Sequence, residues 1–506
     1  MSSRRWTLPL LEGLVALAAS ATLAVLAGHI RVDPMQRIGA ISGLASLQLR
    51  FACIALPLLA VLAVAARPRY RSHFPAATRL VCAAFAGLAS GFVAGGVIVA
   101  LRGTPYCLYE HSGDSGTLGM WANAIAAHDP RGYPPPFYPP LFPWLLSWYT
   151  RLTGQPALYA LKDLEIAITA LAGPLAYLAW RRVLRPGWAL AIGGIGMLAL
   201  LDPYKPYENI VLVLFVPLTI RFLHALRRAD EATLHSLLKA GTLFGLAYGG
   251  LCLLYSGWFH WSAPGVVVAA LIVCRLRDGR WKSALVFGGV ALVVFGIVLS
   301  AYLWNIKSYS AEVPAGTPMV RDGYIYYDVI TDPAYWAMWK GDLPGTIGVW
   351  PPPGEIAGLG AYQLLAFAAF GIALAFGRTR SAVIAVVSIF VSTWLLRFWY
   401  AHLLYHTHLV QLYPRTSLEL AFLAIVMIGF SAYYAIEYVA RKRADSPLRD
   451  PNATIGGIVA LALAIATAGS SISDRYMPAH TEPMSLGELA WRSHEVFKQK
   501  LPPDPP

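Results

Sequence analysis

About thirteen runs of roughly 20 mostly apolar residues divide this chain, and most of the links between them are short. A run of that length and composition is long enough to cross a bilayer. In lipid, a helix is the structure that satisfies its own backbone within one segment. The runs lie near 10–30, 47–66, 80–101, 163–180, 187–201, 208–226, 238–255, 258–274, 283–303, 357–376, 381–397, 416–440 and 453–471. Ser256-Gly257-Trp258 must then serve as a very short turn between the seventh and eighth. The expected fold is an all-α polytopic membrane protein with about 13 transmembrane helices.

Composition agrees. Hydrophobic residues make up 57% of the 506 and charged residues only 13%, against about 25% charged in soluble domains. A soluble multi-domain protein would lack polar surface, and disorder is excluded by the hydrophobicity. The 16 Trp and 26 Tyr suit interfacial aromatic belts. Of the five cysteines, only Cys107 lies outside an apolar run, and no disulfide or zinc spacing is present.

The formal charge of +13 would suggest nucleic acid in a soluble protein, but here it sorts by loop. With the N-terminus in the cytoplasm, the even-numbered loops carry Arg67, Arg69, Arg71 and Arg79; Arg181, Arg182 and Arg185; Arg227, Arg228 and Lys239; Arg275, Arg277, Arg280 and Lys282; Arg378 and Arg380; and Arg441, Lys442, Arg443 and Arg449. This is the positive-inside pattern. It needs no nucleic-acid partner and puts the C-terminus outside. The acids collect in the outer segments. Glu12 and Glu437, inside spans but near their cytoplasmic ends, are expected to snorkel.

The expected organisation is a transmembrane domain over 1–471 with a short extracytoplasmic tail over 472–506, which has room for one helix near 485–499. Two outer segments, 102–162 and 304–356, are longer than connectors need to be. In the first, Asp114 to His128 reads as an interfacial helix with Leu118, Trp121, Ile125 and Met120 towards the bilayer, capped by Ser112 or Asp114. Leu141 to Leu152 reads as a second interfacial helix.

Five motifs bear chemistry. In His111-Ser112-Gly113-Asp114, the carboxylate beside the membrane suits a general base acting on a hydroxyl, and equally a helix cap. Tyr133-Pro134-Pro135-Pro136-Phe137-Tyr138-Pro139-Pro140-Leu141-Phe142-Pro143-Trp144 is stiffened by proline. Its aromatics Tyr133, Phe137, Tyr138 and Trp144 form a wall for a sugar ring or prenyl chain, or anchor a connector at the interface. Lys162-Asp163-Leu164-Glu165 either snorkels or sets Lys162 beside a lipid phosphate. Asp202-Pro203-Tyr204-Lys205-Pro206-Tyr207-Glu208-Asn209 is a tight outer turn that presents Lys205, Tyr207 and Glu208. Around the last spans, Arg397, His402, His406, His408 and Arg415 suit an anionic head group better than a metal, because the His402/His406 pair lacks the Glu of a zincin. No metal site is expected, and no cofactor beyond the open question of a divalent cation. There is no Gly-rich phosphate loop and no large cytoplasmic domain for a nucleotide. An outward-facing reaction needs a donor already outside, and a polyprenyl-phosphate sugar is such a donor.

These pieces, in this order, resemble the membrane domain of bacterial galactan 5-O-arabinofuranosyltransferases, within the GT-C glycosyltransferases that use lipid-linked donors. The resemblance is carried by Asp114 soon after the third span and by Pro135-Pro136-Phe137-Tyr138-Pro139-Pro140. Thr153-Gly154-Gln155-Pro156-Ala157 followed by Lys162, Pro206-Tyr207, Phe244-Gly245-Leu246-Ala247 and Arg415 add to it. It covers most of 100–260 and, more loosely, the chain to about 470. Thr117 and Leu118 stand where the family has an aromatic and an arginine. The resemblance implies a GT-C-like fold in the bacterial inner (plasma) membrane with its site facing the periplasm. It implies inverting transfer of arabinofuranose from a polyprenyl-phosphate donor lipid to an extracytoplasmic acceptor, cell-wall galactan or another cell-surface glycan. Asp114 would be the base, and Lys162, Lys205, His406, His408 and Arg415 would surround the donor phosphate. Tyr133, Phe137, Tyr138, Trp144, Tyr207 and Glu208 would hold sugar or lipid. Transfer of another sugar to a pilin or glycolipid, or transport of a lipid-linked sugar, are the alternatives.

Overall fold

A computed structural model describes residues 4–36, 42–65, 75–198, 201–274, 281–312, 360–407, 416–442, 477–480 and 485–498. Among these the secondary structure is helical throughout. The chain divides into two compact units, one built from Met1–Leu214 and Asp445–Pro506 and the other from Phe215–Ala444.

In the first unit, α1 (Arg4–Gly28), α2 (Gly43–Ala65) and α3 (Pro75–Ala100) are followed by two shorter helices, α4 (Gly113–Ala127) and α5 (Leu141–Thr153), and then by α6 (Ala157–Trp180). Helix α3 packs centrally against α1, α2 and α6. The close approach to α1 depends on glycine: a Cβ on Gly87 would lie 2.0 Å from the Ala16 carbonyl oxygen, and one on Gly91 2.7 Å from that of Ser20. This is small-residue packing of the kind that brings membrane helices together. Pro174 within α6 cannot donate to the Ala170 carbonyl one turn earlier. That carbonyl instead accepts the hydroxyls of Ser20 and Ser90, each at 2.8 Å, so the proline break becomes a three-helix junction.

Helix α7 (Pro206–Arg227) contains the division between the units. The second unit continues with α8 (Leu234–Leu254), α9 (Gly257–Cys274), α10 (Trp281–Glu312), α11 (Gly360–Gly377), α12 (Ser381–Thr407) and α13 (Thr416–Lys442). Here α8 lies against α10, α9 against α12 and α11 against α13. A very short turn does join α8 and α9, but it is Tyr255-Ser256; Gly257 and Trp258 already belong to α9.

Eight described helices are long and apolar enough to cross a membrane: α1, α2, α3, α7, α8, α9, α10 and α13. Shorter apolar stretches occupy Pro186–Ile195, Ala366–Gly377 and Ser381–Arg397. The expected fifth span, 187–201, is a correction. Its helical structure is one turn followed by a π-helical segment ending at Ile195, too short to span. Gly193 and Gly194 sit within it, and a Cβ on Gly193 would meet the Trp180 ring at 2.1 Å. Ala189, Leu190, Ile192, Gly193, Gly194 and Ile195 are all buried within the protein. The expected thirteenth span, 453–471, lies outside the described residues, as does nearly all of the second long outer segment.

Glu12 does not snorkel. It is 1% exposed and held by Arg79 at 2.9 and 2.6 Å, by Arg181 at 3.2 Å and by the Tyr177 hydroxyl at 3.3 Å. Burial of a carboxylate requires such partners, and α3 and the C-terminal end of α6 supply them to α1. Glu437 is partly exposed and pairs with Arg441 at 2.6 Å and Arg380 at 3.7 Å.

Candidate active site

The site grows from the segment between α3 and α4. Tyr109 and Glu110 both adopt left-handed backbone, φ 69° and 46°, each costing of order 1–3 kcal/mol. The fold stabilises this kink locally. The buried Glu110 carboxylate accepts the Ser112 hydroxyl at 2.9 Å and the His111 N–H at 2.6 Å. The Ser115 hydroxyl donates to the Leu108 carbonyl at 2.7 Å, and the Leu108 N–H donates to Glu165 at 3.0 Å. Gly113 follows at φ 56°, where a Cβ would strike the Tyr109 ring at 2.5 Å.

This turn starts α4 with Ser112 as N-cap residue, yet the Ser112 side chain makes no cap bond. Asp114 is therefore not the cap; it stands in the first turn of α4, where the helix dipole favours a carboxylate. Its backbone N–H donates to the Tyr204 hydroxyl at 2.8 Å. Its carboxylate forms an ion pair with Lys205. The Asp114 side chain is 41% exposed and that of Lys205 21% exposed, so the pair is held by the protein and open to a reactant.

Lys205 and Tyr204 owe their position to the turn before α7. The Asn209 amide donates to the Asp202 carbonyl at 2.8 Å, and the Tyr204 N–H donates to the Asp202 carboxylate at 3.0 Å. Burial pushes the Tyr204 hydroxyl above the ordinary phenol range, so it stays protonated.

Beside the pair is an aromatic wall. The Tyr138 and Tyr207 hydroxyls are 2.9 Å apart, Tyr138 packs on Trp121 at 4.6 Å and Phe142 stacks on Tyr207 at 4.3 Å. Burial pushes the Tyr138 hydroxyl up to about 12. Glu208 follows Tyr207 in the first turn of α7. Phe137 and Trp144 face outward, 47% and 49% exposed, with Tyr133 edge-on to Trp144 at 6.1 Å. The proline-rich run thus has an inner and an outer aromatic side.

The two short helices lie where the sequence suggests, but α4 is turned over. Leu118, Trp121 and Ile125 are buried within the first unit, while Met120 is exposed. The outward apolar stripe belongs to α5 instead, through Leu141, Trp144, Leu145, Trp148 and Leu152. Arg151 on the same helix closes the C-terminus of α4, donating to the Ile125 and Ala126 carbonyls at 3.1 and 2.6 Å.

Lys162 is engaged elsewhere: its ammonium donates to the carbonyls of Leu101, at 3.0 Å, and Thr104, tying α6 to the root of the loop. His408 and Arg415 lie outside the described residues, and so does the side chain of His406. Among the described residues no group of three His, Cys, Asp or Glu side chains is arranged to hold a metal. Cys107 is fully buried and its thiol is pushed well up by burial, which makes it an inert packing group.

Tyr204, Glu110 and Glu165 are the site's supporting residues that sequence reasoning did not single out. Positive φ at non-glycine positions has no local signature at Tyr109 and Glu110, and Tyr204 looks like any turn tyrosine.

The fold and this pair define a multi-pass helical membrane protein with an acid and a cation on one loop cluster. No protein-family model matches the chain. The chain is 30% identical over 170 residues to galactan 5-O-arabinofuranosyltransferase from two strains of Mycobacterium tuberculosis, a match covering 33% of this chain and 26% of each relative. The chain matches about a quarter of the length of these curated relatives. The relationship is distant, and the distant homologue is a glycosyltransferase.

Proposed function

We propose that this protein transfers arabinofuranose from a polyprenyl-phosphate donor to a hydroxyl of an extracytoplasmic acceptor, a cell-surface glycan, with inversion, from the outer face of the bacterial inner membrane. The acceptor oxygen attacks the anomeric carbon and its proton passes to the Asp114 carboxylate. The bond from the anomeric carbon to the phosphate oxygen breaks, and polyprenyl phosphate leaves with the electron pair. Lys205 is the cation beside the departing phosphate, where preorganised positive charge stabilises the charge that develops. Tyr138, backed by the buried Tyr207 and Trp121, suits the sugar ring, and the outward stripe of α5, with Phe137, suits the prenyl chain.

The observation that carries this reading is the Asp114–Lys205 ion pair. It sets a partly exposed carboxylate and an ammonium side by side near the Tyr138–Tyr207 pair, which supports a base and a phosphate counter-charge at one site. The distant arabinofuranosyltransferase homologues support the same class of reaction.

The test uses the purified full chain with defined polyprenyl-phosphate sugars, arabinofuranose and hexose forms in parallel, and mass analysis of the acceptor products. Gain of one pentose from the lipid donor is the expected result. Transfer from a nucleotide sugar, or hexose in preference to pentose, overturns the donor assignment. Lipid-linked sugar crossing vesicles without any acceptor product would make the protein a transporter.

A further inference from the structure

The last described helix, α14 (Leu486–Lys498), belongs to the first unit and is fastened to the segment that leads to Asp114. The Ser493 hydroxyl donates to the Cys107 carbonyl at 2.6 Å, and the Thr104 hydroxyl donates to the Ser493 carbonyl at 3.0 Å. The His494 Nε2 donates to the Ala100 carbonyl at 2.8 Å. The N–H of the left-handed Tyr109 donates to the Leu489 carbonyl at 3.2 Å. Leu489 and Ala490 share a buried cluster with Val97, Leu101, Leu108 and Tyr204. Three backbone groups at the end of α3 and in the kinked loop, the Ala100 and Cys107 carbonyls and the Tyr109 N–H, thus find partners on one helix, as buried backbone groups require.

The contacts continue to the acid. The Arg492 guanidinium lies 5.3 Å from the centre of the Tyr109 ring, and its side chain is oriented by Glu488 at 3.1 Å. Tyr109 packs edge-on to Tyr204 at 6.0 Å. The Tyr204 hydroxyl accepts the Asp114 N–H at 2.8 Å. A cation over an aromatic face is attractive, so each member of the series Arg492, Tyr109, Tyr204, Asp114 is held by the one before it.

We propose that α14 is a positioning element for Asp114, acting through Ser493 on the loop and through Arg492, Tyr109 and Tyr204 on the acid; its catalytic consequence rests on the role assigned to Asp114 above. Arg492, Tyr109 and Tyr204 are positioning residues and touch no substrate.

The experiment compares the full-length wild type with Arg492→Ala, Arg492→Lys, Ser493→Ala and Tyr204→Phe. Arg492 is 42% exposed at its side chain, so its replacement does not threaten folding. The first readout is amide hydrogen exchange over 104–117, which is independent of activity. Loss of one buried hydrogen bond in Ser493→Ala should speed exchange there by about fivefold or more. Arg492→Ala should act in the same direction, and Arg492→Lys should restore protection. The second readout is transfer kinetics: kcat should fall about fivefold in Tyr204→Phe and Arg492→Ala with donor KM unchanged. Unchanged exchange in both Ser493→Ala and Arg492→Ala overturns the proposal. So does faster exchange with wild-type kcat, since the loop would then be held without consequence for the acid. If the wild type transfers nothing from any polyprenyl-phosphate sugar, the functional reading falls, and the exchange measurements alone decide whether α14 sets the Asp114 loop.

Discussion

The Asp114 carboxylate is ion-paired with Lys205, although one residue opens α4 and the other lies in the turn before α7. The pairing brings together two segments that α5 and α6 separate along the chain, and it sets a carboxylate beside an ammonium.

Asp114→Asn keeps the shape of the side chain and removes its basicity. A general base contributes typically about 10²–10⁴-fold, so kcat should fall by that order while donor binding persists. Because a partly exposed ion pair is worth only about 0.2–1 kcal/mol, the melting temperature should barely move. Steady-state kinetics with a parallel thermal melt check both halves. Near-wild-type kcat would exclude Asp114 as the base.

Lys205→Gln removes the cation and retains a hydrogen-bonding side chain. Donor KM should rise about tenfold or more, the scale of a lost bond between charged groups, and acceptor KM should hold. Donor titrations at fixed acceptor would reveal this. An unaltered donor kcat and KM would show that the phosphate lies elsewhere.

His494 gives the fastening of α14 a pH dependence. Burial holds its pKa below the ordinary imidazole value of 6.5, outweighing the hydrogen bond to the Ala100 carbonyl and the charge of Asp33, both of which raise it, while the ammonium groups of Lys162 and Lys498 lower it further. A histidine depressed in the folded state binds fewer protons there than when unfolded. Its contribution is therefore complete above the ordinary value and is lost as pH falls through the lowered one. Stability should decline on acidification through that window, and His494→Gln should flatten the decline. Melting temperature against pH for both proteins is the measurement.

Two glycines on α8 should behave oppositely. A Cβ on Gly245 would lie 2.6 Å from the Ala291 carbonyl oxygen of α10, whereas one on Gly250 meets nothing within 4 Å. Gly245→Ala should destabilise by about 1–3 kcal/mol through overpacking. Gly250→Ala should be neutral or stabilising by up to about 1 kcal/mol through helix propensity. Unfolding in detergent distinguishes them, and equal behaviour would contradict the close α8–α10 contact.

Much of this protein is determined by its sequence alone. Long apolar runs bounded by arginines specify helices and a membrane, because hydrophobicity and backbone satisfaction are properties of a segment. Asp114, Lys205, Tyr138 and Tyr207 are also legible, as polar and aromatic groups in outer segments too elaborate for connectors. Only the tertiary structure decided which of them meet. Periodicity shows that Leu118, Trp121 and Ile125 share a stripe, but not that protein covers it; the same holds for the run after Pro186, which is buried within the protein. Glu12 reads as a snorkelling acid until Arg79 and Arg181 arrive from other helices. Lys162 reads as a phosphate ligand until the carbonyls of Leu101 and Thr104 occupy it. The left-handed turn at Tyr109 and Glu110 leaves no local trace, and although a helix near 485–499 is legible, its docking on that turn is not. Hydrogen bonds and ion pairs between distant segments depend on where the backbone brings them, and residue-to-residue pattern does not encode that distance.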